Sequence, residues 1–342
     1  ELLSSNHGVC AILAPSFPAE FCDMTPEALA GMLRAVGFDH VVEVAAGADL
    51  VATEYRRLQE EEPDCCYISS ACPAIVAYTE KYHPELIKYL APIVSPMIAT
   101  AMLVRALYGD SIKVVFIGPC IAKKQEAVDR KEEGQIDSVL TFAELRTFFQ
   151  MAQIEPDKVH PGDFDPPRPG KGVIFPIGGG LLESAGLEED LLLNNIVSTE
   201  GVKNFIDALK AVERGHLKAR LLDILCCDGC IMGPGFTEKT RRFIRQTLVS
   251  NYAQKRIAVA ETLELPVLNL AAAYKRDDRR INRPAEKVIE EILLRMGKNG
   301  PEDELNCGAC GYETCREHAI AIHKGLAENE TCLPYIIEQL KK

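Results

Sequence analysis

Cys72, Cys120, Cys226 and Cys230 each stand where a short apolar run gives way to a turn or a helix start, and this placement constrains the fold more than any other feature of the chain. The runs are short and β-rich: "CCYISS" before Cys72, "IKVVFIGP" ahead of Cys120, "LLDIL" before Cys226. Helical patterns alternate with such runs, as in "TPEALAGMLRAVG" after "VCAILAP" and "TFAELRTFFQMAQ" after "SVL". The alternation predicts an α/β fold with mostly parallel sheets flanked by helices, because each strand returns to its sheet through a helix. In such folds the carboxyl ends of the strands converge on one crevice, where cysteines far apart in sequence can meet. Four thiolates delivered that way suit a buried four-iron cluster; on spacing alone, four unrelated core cysteines fit equally well.

A second group is compact. Cys307, Cys310, Cys315 and Cys332 have the spacing C-x2-C-x4-C-x16-C, with Gly308 and Gly311 allowing tight bends and Pro334 just past the last cysteine. Four thiolates close a tetrahedral zinc site or anchor the corners of a 4Fe-4S cluster, and the thiol-rich character of the chain, 13 cysteines in all, favours the cluster. In a reducing compartment disulfides do not persist, so clustered cysteines point to metal or redox chemistry. Cys10, Cys22, Cys65 and Cys66 lie outside both groups and, unlike Cys227, outside the motifs described below, and are expected to be small buried hydrophobes.

With 342 residues, 47% of them apolar, the chain can bury a large core in two or three domains. A net charge of −12 and the lack of a basic stripe argue against nucleic acid as a partner. No apolar run approaches the ~20 residues of a membrane span, and no signal peptide is visible, so the expected location is cytoplasmic, with no membrane partner. The first residue is Glu1 rather than Met, which reads as a fragment of a longer chain.

Domain boundaries are expected near residue 270, with a domain over 1–270 and a linker helix plus cluster-binding segment over 271–342. The proline-rich stretch 156–171 reads as a surface loop separating two halves, and "VIFPIGGG" as a strand running into a glycine turn at Gly178, Gly179 and Gly180. Thr25 and Thr141 look like helix starts, the second with a capping box to Glu144.

Three segments in order, "SSACPAIVAYTEKYHPELIKYLAPIVSP", "GPCIAKKQEA" and "CCDGCIMGPG", resemble the three signature motifs of the FeFe-hydrogenase catalytic domain. The resemblance implies a two-lobed hydrogenase-like domain. It also implies an H-cluster: a 4Fe-4S cubane held by Cys72, Cys120, Cys226 and Cys230, with Cys230 bridging to a two-iron unit that carries CO, CN and an azadithiolate. Lys123 matches the lysine that donates a hydrogen bond to a cyanide, with Glu126 completing its motif and Lys124 a solvated neighbour. Pro15, Ser16, Gly118, Gly179, Gly180 and Ile224 match positions lining the cofactor, Gly118 and Ile224 standing where the family has methionines. Gly229 and Gly233 let the backbone come close.

The implied reaction is reversible heterolytic cleavage of H2, with protons and electrons as the other participants. Ala71 stands where the family has the cysteine that relays protons, so turnover is expected to be slow, and the relay role of Glu54 loses its partner. Ala74, Ile75 and Phe236 also depart from the motifs. Together with the C-terminal cysteines, these departures resemble the sensory branch of the family, whose partners are a redox protein or fused electron-transfer and signalling modules, besides maturation proteins. The alternative is a non-catalytic hydrogenase-like iron-sulfur assembly or carrier protein, which shares the scaffold and lacks the two-iron unit.

Overall fold

All strand pairs among the described residues are parallel, the outcome that strand and helix alternation requires. The computed structural model describes the chain apart from residues 1, 5–6, 135, 190–191, 194, 238–239, 259–264, 281–282 and 342. One sheet contains β1 (Val9–Leu13), β2 (His40–Glu43), β4 (Lys113–Gly118) and β5 (Ser138–Thr141) in the order β2-β1-β4-β5. The other contains β3 (Tyr67–Ile68), β6 (Ile196–Glu200) and β7 (Leu221–Leu225) in the order β3-β7-β6. β1 and β7 are buried along their whole length, as central strands covered on both faces must be.

Local chemistry explains where the helices begin. Thr25 Oγ1 accepts the backbone N–H of Ala28 at 3.2 Å and opens helix Pro26–Val36, which ends on Gly37 at φ +117°. Thr141 and Glu144 form the expected reciprocal capping box at the head of Phe142–Met151. Helices Val44–Glu61 and Pro96–Tyr108 pack so closely that a Cβ at Gly47 would overlap the Thr100 hydroxyl, and the main core fills the space between such helices and the first sheet.

Three expectations change. The stretch 156–171 is a loop, as expected, tied down by Phe164, which is buried, by Asp165 Oδ2, which accepts the Val41 N–H at 2.7 Å, and by Asp163, which accepts from Arg256 at 3.0 Å. It does not divide two halves, however, because β3, which precedes it by some 90 residues, already belongs to the second sheet. "VIFPIGGG" contains no strand; Lys171–Ile174 is a 3-10 turn, packed against the helix Val44–Glu61. Of the four outlying cysteines only Cys10 is buried, while Cys22 and Cys65 are exposed and Cys66 is half-buried.

The chain divides into two compact units, Glu1–Asp278 and Arg279–Lys342. Residues 271–278, assigned to the linker by composition, pack on the first unit. Ala271 bridges Ile93, the Tyr274 hydroxyl donates to the Ile93 carbonyl at 2.9 Å, and the Arg130 guanidinium lies 4.5 Å from the Tyr274 ring centre. The second unit has its own core, in which Ile289, Ile292, Leu293 and Met296 meet Ala319 and Cys332.

Candidate metal centre

In the first sheet the chain leaves β1 toward β2 on one side and β4 toward β5 on the other, so the topological switch point lies between the carboxyl ends of β1 and β4. β1 delivers Pro15 and Ser16 there; β4 delivers Gly118, Pro119 and Cys120. The Ser16 hydroxyl is buried and has no hydrogen-bond partner. A buried hydroxyl without a partner is a place for a bound polar group. A Cβ on Gly118 would sit 2.6 Å from the Phe116 ring and 2.8 Å from Ala14, so Phe116 packs directly over this glycine.

The second sheet supplies the remaining cysteines. Cys72 is the N-cap residue of Pro73–Tyr82, following β3, and its carbonyl accepts from Val76 at 3.1 Å. Cys226 follows β7, and Cys230 opens a 3-10 turn after Gly229, whose φ of +76° suits glycine. Ile224 is fully buried against Ile68 and Ile75, so it acts as core of this sheet.

Two hydrogen bonds tie the loops together: Gly235 N–H donates to the Pro119 carbonyl at 2.7 Å, and Ile231 N–H to the Pro176 carbonyl at 3.3 Å. The second places the glycine turn 178–180 beside the Cys230 loop. There Gly179 is left-handed at φ +76°, and a Cβ on Gly180 would overlap the Ile174 carbonyl, so the close approach recorded is chain on chain. A Cβ on Gly233 would lie 2.7 Å from the Pro119 carbonyl oxygen and 2.9 Å from its Cβ, forcing the Cys120 and Cys230 loops apart. Gly233→Ala is expected to cost about 1–3 kcal/mol, read as a lowered Tm in thermal unfolding; an unchanged Tm would mean the two loops yield freely.

The electrostatics link all four cysteines across the two sheets. Burial, with the charges of Cys120 and Cys226 as lesser contributions, pushes the Cys72 thiol up to about 11. Burial, then Cys72 and Cys120, pushes Cys230 up further, opposed by the Lys123 ammonium. Cys227 donates its S–H to Cys226 and so holds that thiol below its usual range. Neighbouring thiols that resist ionisation are stabilised as thiolates by a strongly positive centre. Among the described residues no three His, Cys, Asp or Glu side chains stand close enough to grip a single ion. A single zinc would draw its sulfurs to about 3.8 Å apart at Zn–S bonds of about 2.3 Å, whereas a four-iron cluster spreads its corner thiolates more widely. The donor set, the orphaned Ser16 hydroxyl and the glycine-lined loops fit such a cluster.

Lys123 is buried beside this crevice. Its ammonium donates to Ser95 Oγ at 2.9 Å and to Glu126 Oε2 at 2.7 Å. Ser95, the serine of the Ser-Pro that closes the first motif, was not singled out from sequence, although the motif itself contained the signal. Lys124 is exposed and pairs with Glu144 at 2.5 Å, and Glu54 pairs with Arg57 at 2.6 Å on the surface. Phe236 packs edge-on against Phe142. Asp223 was also missed, though a lone carboxylate inside "LLDIL" was a readable signal. It is buried, accepts from the Ser69 hydroxyl at 3.1 Å, and is pushed by burial up to about 6. Ala71, next to the Ser70 hydroxyl that bonds Tyr55 at 2.9 Å, presents only a methyl group.

In the second unit Cys307, Cys310, Cys315 and Cys332 line one small cavity, together with Lys298 and His318. Gly308 and Gly311 are both left-handed, at φ +70° and +85°, and Asn306 Oδ1 accepts the Cys315 N–H at 2.8 Å. The loop is thus shaped by glycines and pinned by one side chain, with the cysteines on its inner side. This donor set fits a cluster of its own.

Comparison with known proteins gives two family matches. Residues 7–234 match the C-terminal domain of the iron only hydrogenase large subunit, and residues 303–334 match an Fe-S cluster family. Iron hydrogenase 1 of Clostridium pasteurianum is 27% identical over 253 residues, covering 59% of this chain and 44% of its own length. The periplasmic [Fe] hydrogenase large subunit of Nitratidesulfovibrio vulgaris is 25% identical over 276 residues, 65% of each. The cytosolic Fe-S cluster assembly factor NAR1 of Yarrowia lipolytica is 29% identical over 161 residues, 42% of this chain and 32% of its own length. The chain therefore covers less than two thirds of each of these relatives. A variant of [FeFe]-hydrogenase HydA1 from Chlamydomonas reinhardtii superposes with a TM-score of 0.63 at 20% identity, over 81% of this chain and 97% of that one, which shows a shared fold.

Proposed function

The chain belongs to the family defined by the C-terminal domain of iron-only hydrogenase large subunits, and from that premise we propose that it is a slow [FeFe]-hydrogenase of sensory type. In this reading Cys72, Cys120, Cys226 and Cys230 hold the four-iron part of an H-cluster, and Cys230 shares its sulfur with the two-iron unit. Cys307, Cys310, Cys315 and Cys332 hold a second 4Fe-4S cluster. When bound, the H-cluster supplies the heterolytic cleavage of H2 and the outlet for its electrons.

The observation that carries the reading is the state of Lys123. An ammonium has three donors, and Ser95 and Glu126 take two of them. Among the described residues the third has no partner, and it suits an anionic ligand in a crevice sheltered from water, where a charge-assisted hydrogen bond is strongest. Glu126 offsets the charge of the lysine while that ligand is absent. Ser16 and the backbone around Gly229 shape the other walls. With a methyl group at position 71 the chain has no side chain there to pass a proton, which supports slow turnover. A slow site that still binds H2 suits a detector whose redox state is read by a partner protein or fused module in the cytoplasm.

The second reading, an assembly factor without the two-iron unit, is favoured by the likeness to NAR1 proteins and by Ala71. It leaves the third Lys123 donor without a purpose. The two separate in one measurement on chain prepared anaerobically with maturation proteins. Infrared bands of bound CO and CN are expected, with weak but measurable H2 oxidation. Iron and sulfide without those bands would assign the chain to the carrier class.

A further inference from the structure

Lys298 is buried, 7% exposed, and lines the cysteine cavity of the second unit. It follows helix Glu286–Arg295, where Gly297 turns left-handed at φ +73° and Lys298 N–H donates to the Leu293 carbonyl at 2.9 Å. This ending turns the lysine inward. Its ammonium donates to the Asp303 carbonyl at 3.1 Å, and among the described residues no carboxylate pairs with it. A buried cation without a counter-charge is costly, and burial of this kind persists where an anion is supplied from elsewhere.

The other basic group of the cavity is engaged elsewhere. His318 is buried, stacks on Tyr312 with ring centres 5.2 Å apart, and its Nε2–H donates to the Glu328 carbonyl at 3.1 Å. Burial, with a smaller push from Lys298, holds His318 below the usual imidazole range. Its Nε2–H is thus committed to a carbonyl, and Lys298 is the lysine that lines the cavity together with the four cysteines.

We propose that Lys298 is a positioning residue of the C-terminal cluster, its ammonium compensating the negative charge of the thiolate-bound iron and thereby making that cluster easier to reduce. The residue lies outside the segment 303–334 that matches the cluster family, so the helix before the cysteine loop contributes to the site. A one-electron reduction adds negative charge to a centre that is already anionic, and a fixed cation stabilises the reduced state more than the oxidised one. The inference rests on the reading that Cys307, Cys310, Cys315 and Cys332 bind a 4Fe-4S cluster.

The test uses the full chain reconstituted anaerobically with iron and sulfide, its redox titration followed by electron paramagnetic resonance. The C-terminal signal is identified by its loss in Cys310→Ser. Lys298→Gln removes the charge and keeps a donor for the Asp303 carbonyl; Lys298→Arg keeps both. At a fixed potential, Lys298→Gln is expected to lower the reduced-to-oxidised ratio about tenfold, a midpoint ~59 mV lower for a one-electron couple, with Lys298→Arg near the wild type. Loss of the cluster in Lys298→Gln with retention in Lys298→Arg also supports the role of the charge. A Lys298→Gln midpoint equal to that of the wild type, or loss of the cluster in both variants, overturns the inference while leaving the cluster reading intact. A wild-type chain with no signal sensitive to Cys310→Ser overturns the cluster reading as well.

Discussion

Cys230→Ala is expected to abolish H2 turnover while leaving the first unit folded. The substitution removes the sulfur that both parts of the proposed H-cluster share, so the two-iron unit has no attachment and its CO and CN bands disappear. The backbone has other anchors: Gly233 N–H donates to the Cys230 carbonyl at 3.0 Å, and Gly235 N–H still reaches Pro119. Only a small side chain is lost from a half-buried position, so the melting temperature is expected to fall by a few degrees at most. Cys227→Ala is the companion measurement. Cys227 touches Cys226 by a hydrogen bond and is not among the proposed ligands, so its variant retains the bands. Persistence of CO and CN bands in Cys230→Ala would end the ligand assignment.

Ala71→Cys is expected to raise turnover by about 10²-fold, the lower end of what a positioned proton-transfer group contributes. Residue 71 sits between Ser70, whose hydroxyl is engaged with Tyr55 and with the Ile93 carbonyl, and Cys72, a proposed ligand. A thiol in that place adds an exchangeable proton at the edge of the crevice. The measurement is the anaerobic rate of H2 oxidation with an artificial acceptor, at equal content of the two-iron unit by infrared intensity. An unchanged rate would show that proton delivery is not the limiting step, and the slow turnover would then need another cause, such as the altered packing around Phe116.

Local signals in the sequence carried well. Thr25 and Thr141 cap helices because a hydroxyl reaches an N–H three residues on, an interaction complete within one turn. The placement of Cys72, Cys120 and Cys226 after strands carried for the same reason, since a short apolar strand followed by a turn is legible in place. What did not carry depends on partners distant in the chain. That β3 pairs with β7 across some 150 residues, rather than joining the first sheet, is settled by which apolar faces can be covered together. The stretch 156–171 is legible as a loop from its prolines and polar residues, but the tethering of Asp163 and Asp165 by Arg256, Arg34 and the Val41 N–H is not. That the Phe116 ring packs over Gly118, two residues later, is likewise a matter of side-chain placement that the sequence does not state.

By itself, then, the sequence determined the chemistry on offer: eight cysteines in two sets, a lysine with its motif, and a methyl group where a relay thiol would stand. Residue identity and short-range spacing suffice for that, because thiolates and ammonium groups bring their reactivity with them. Tertiary structure alone decided which of these groups share a low-dielectric space. It brought Cys72, Cys226 and Cys230 from one sheet to Cys120 on the other, set Lys123 between Ser95 and Glu126, and turned Lys298 toward the second cysteine set. The interactions that arrange this run between residues tens to hundreds of positions apart or hang on a single helix ending, and their strength comes from burial, which no short window of sequence contains.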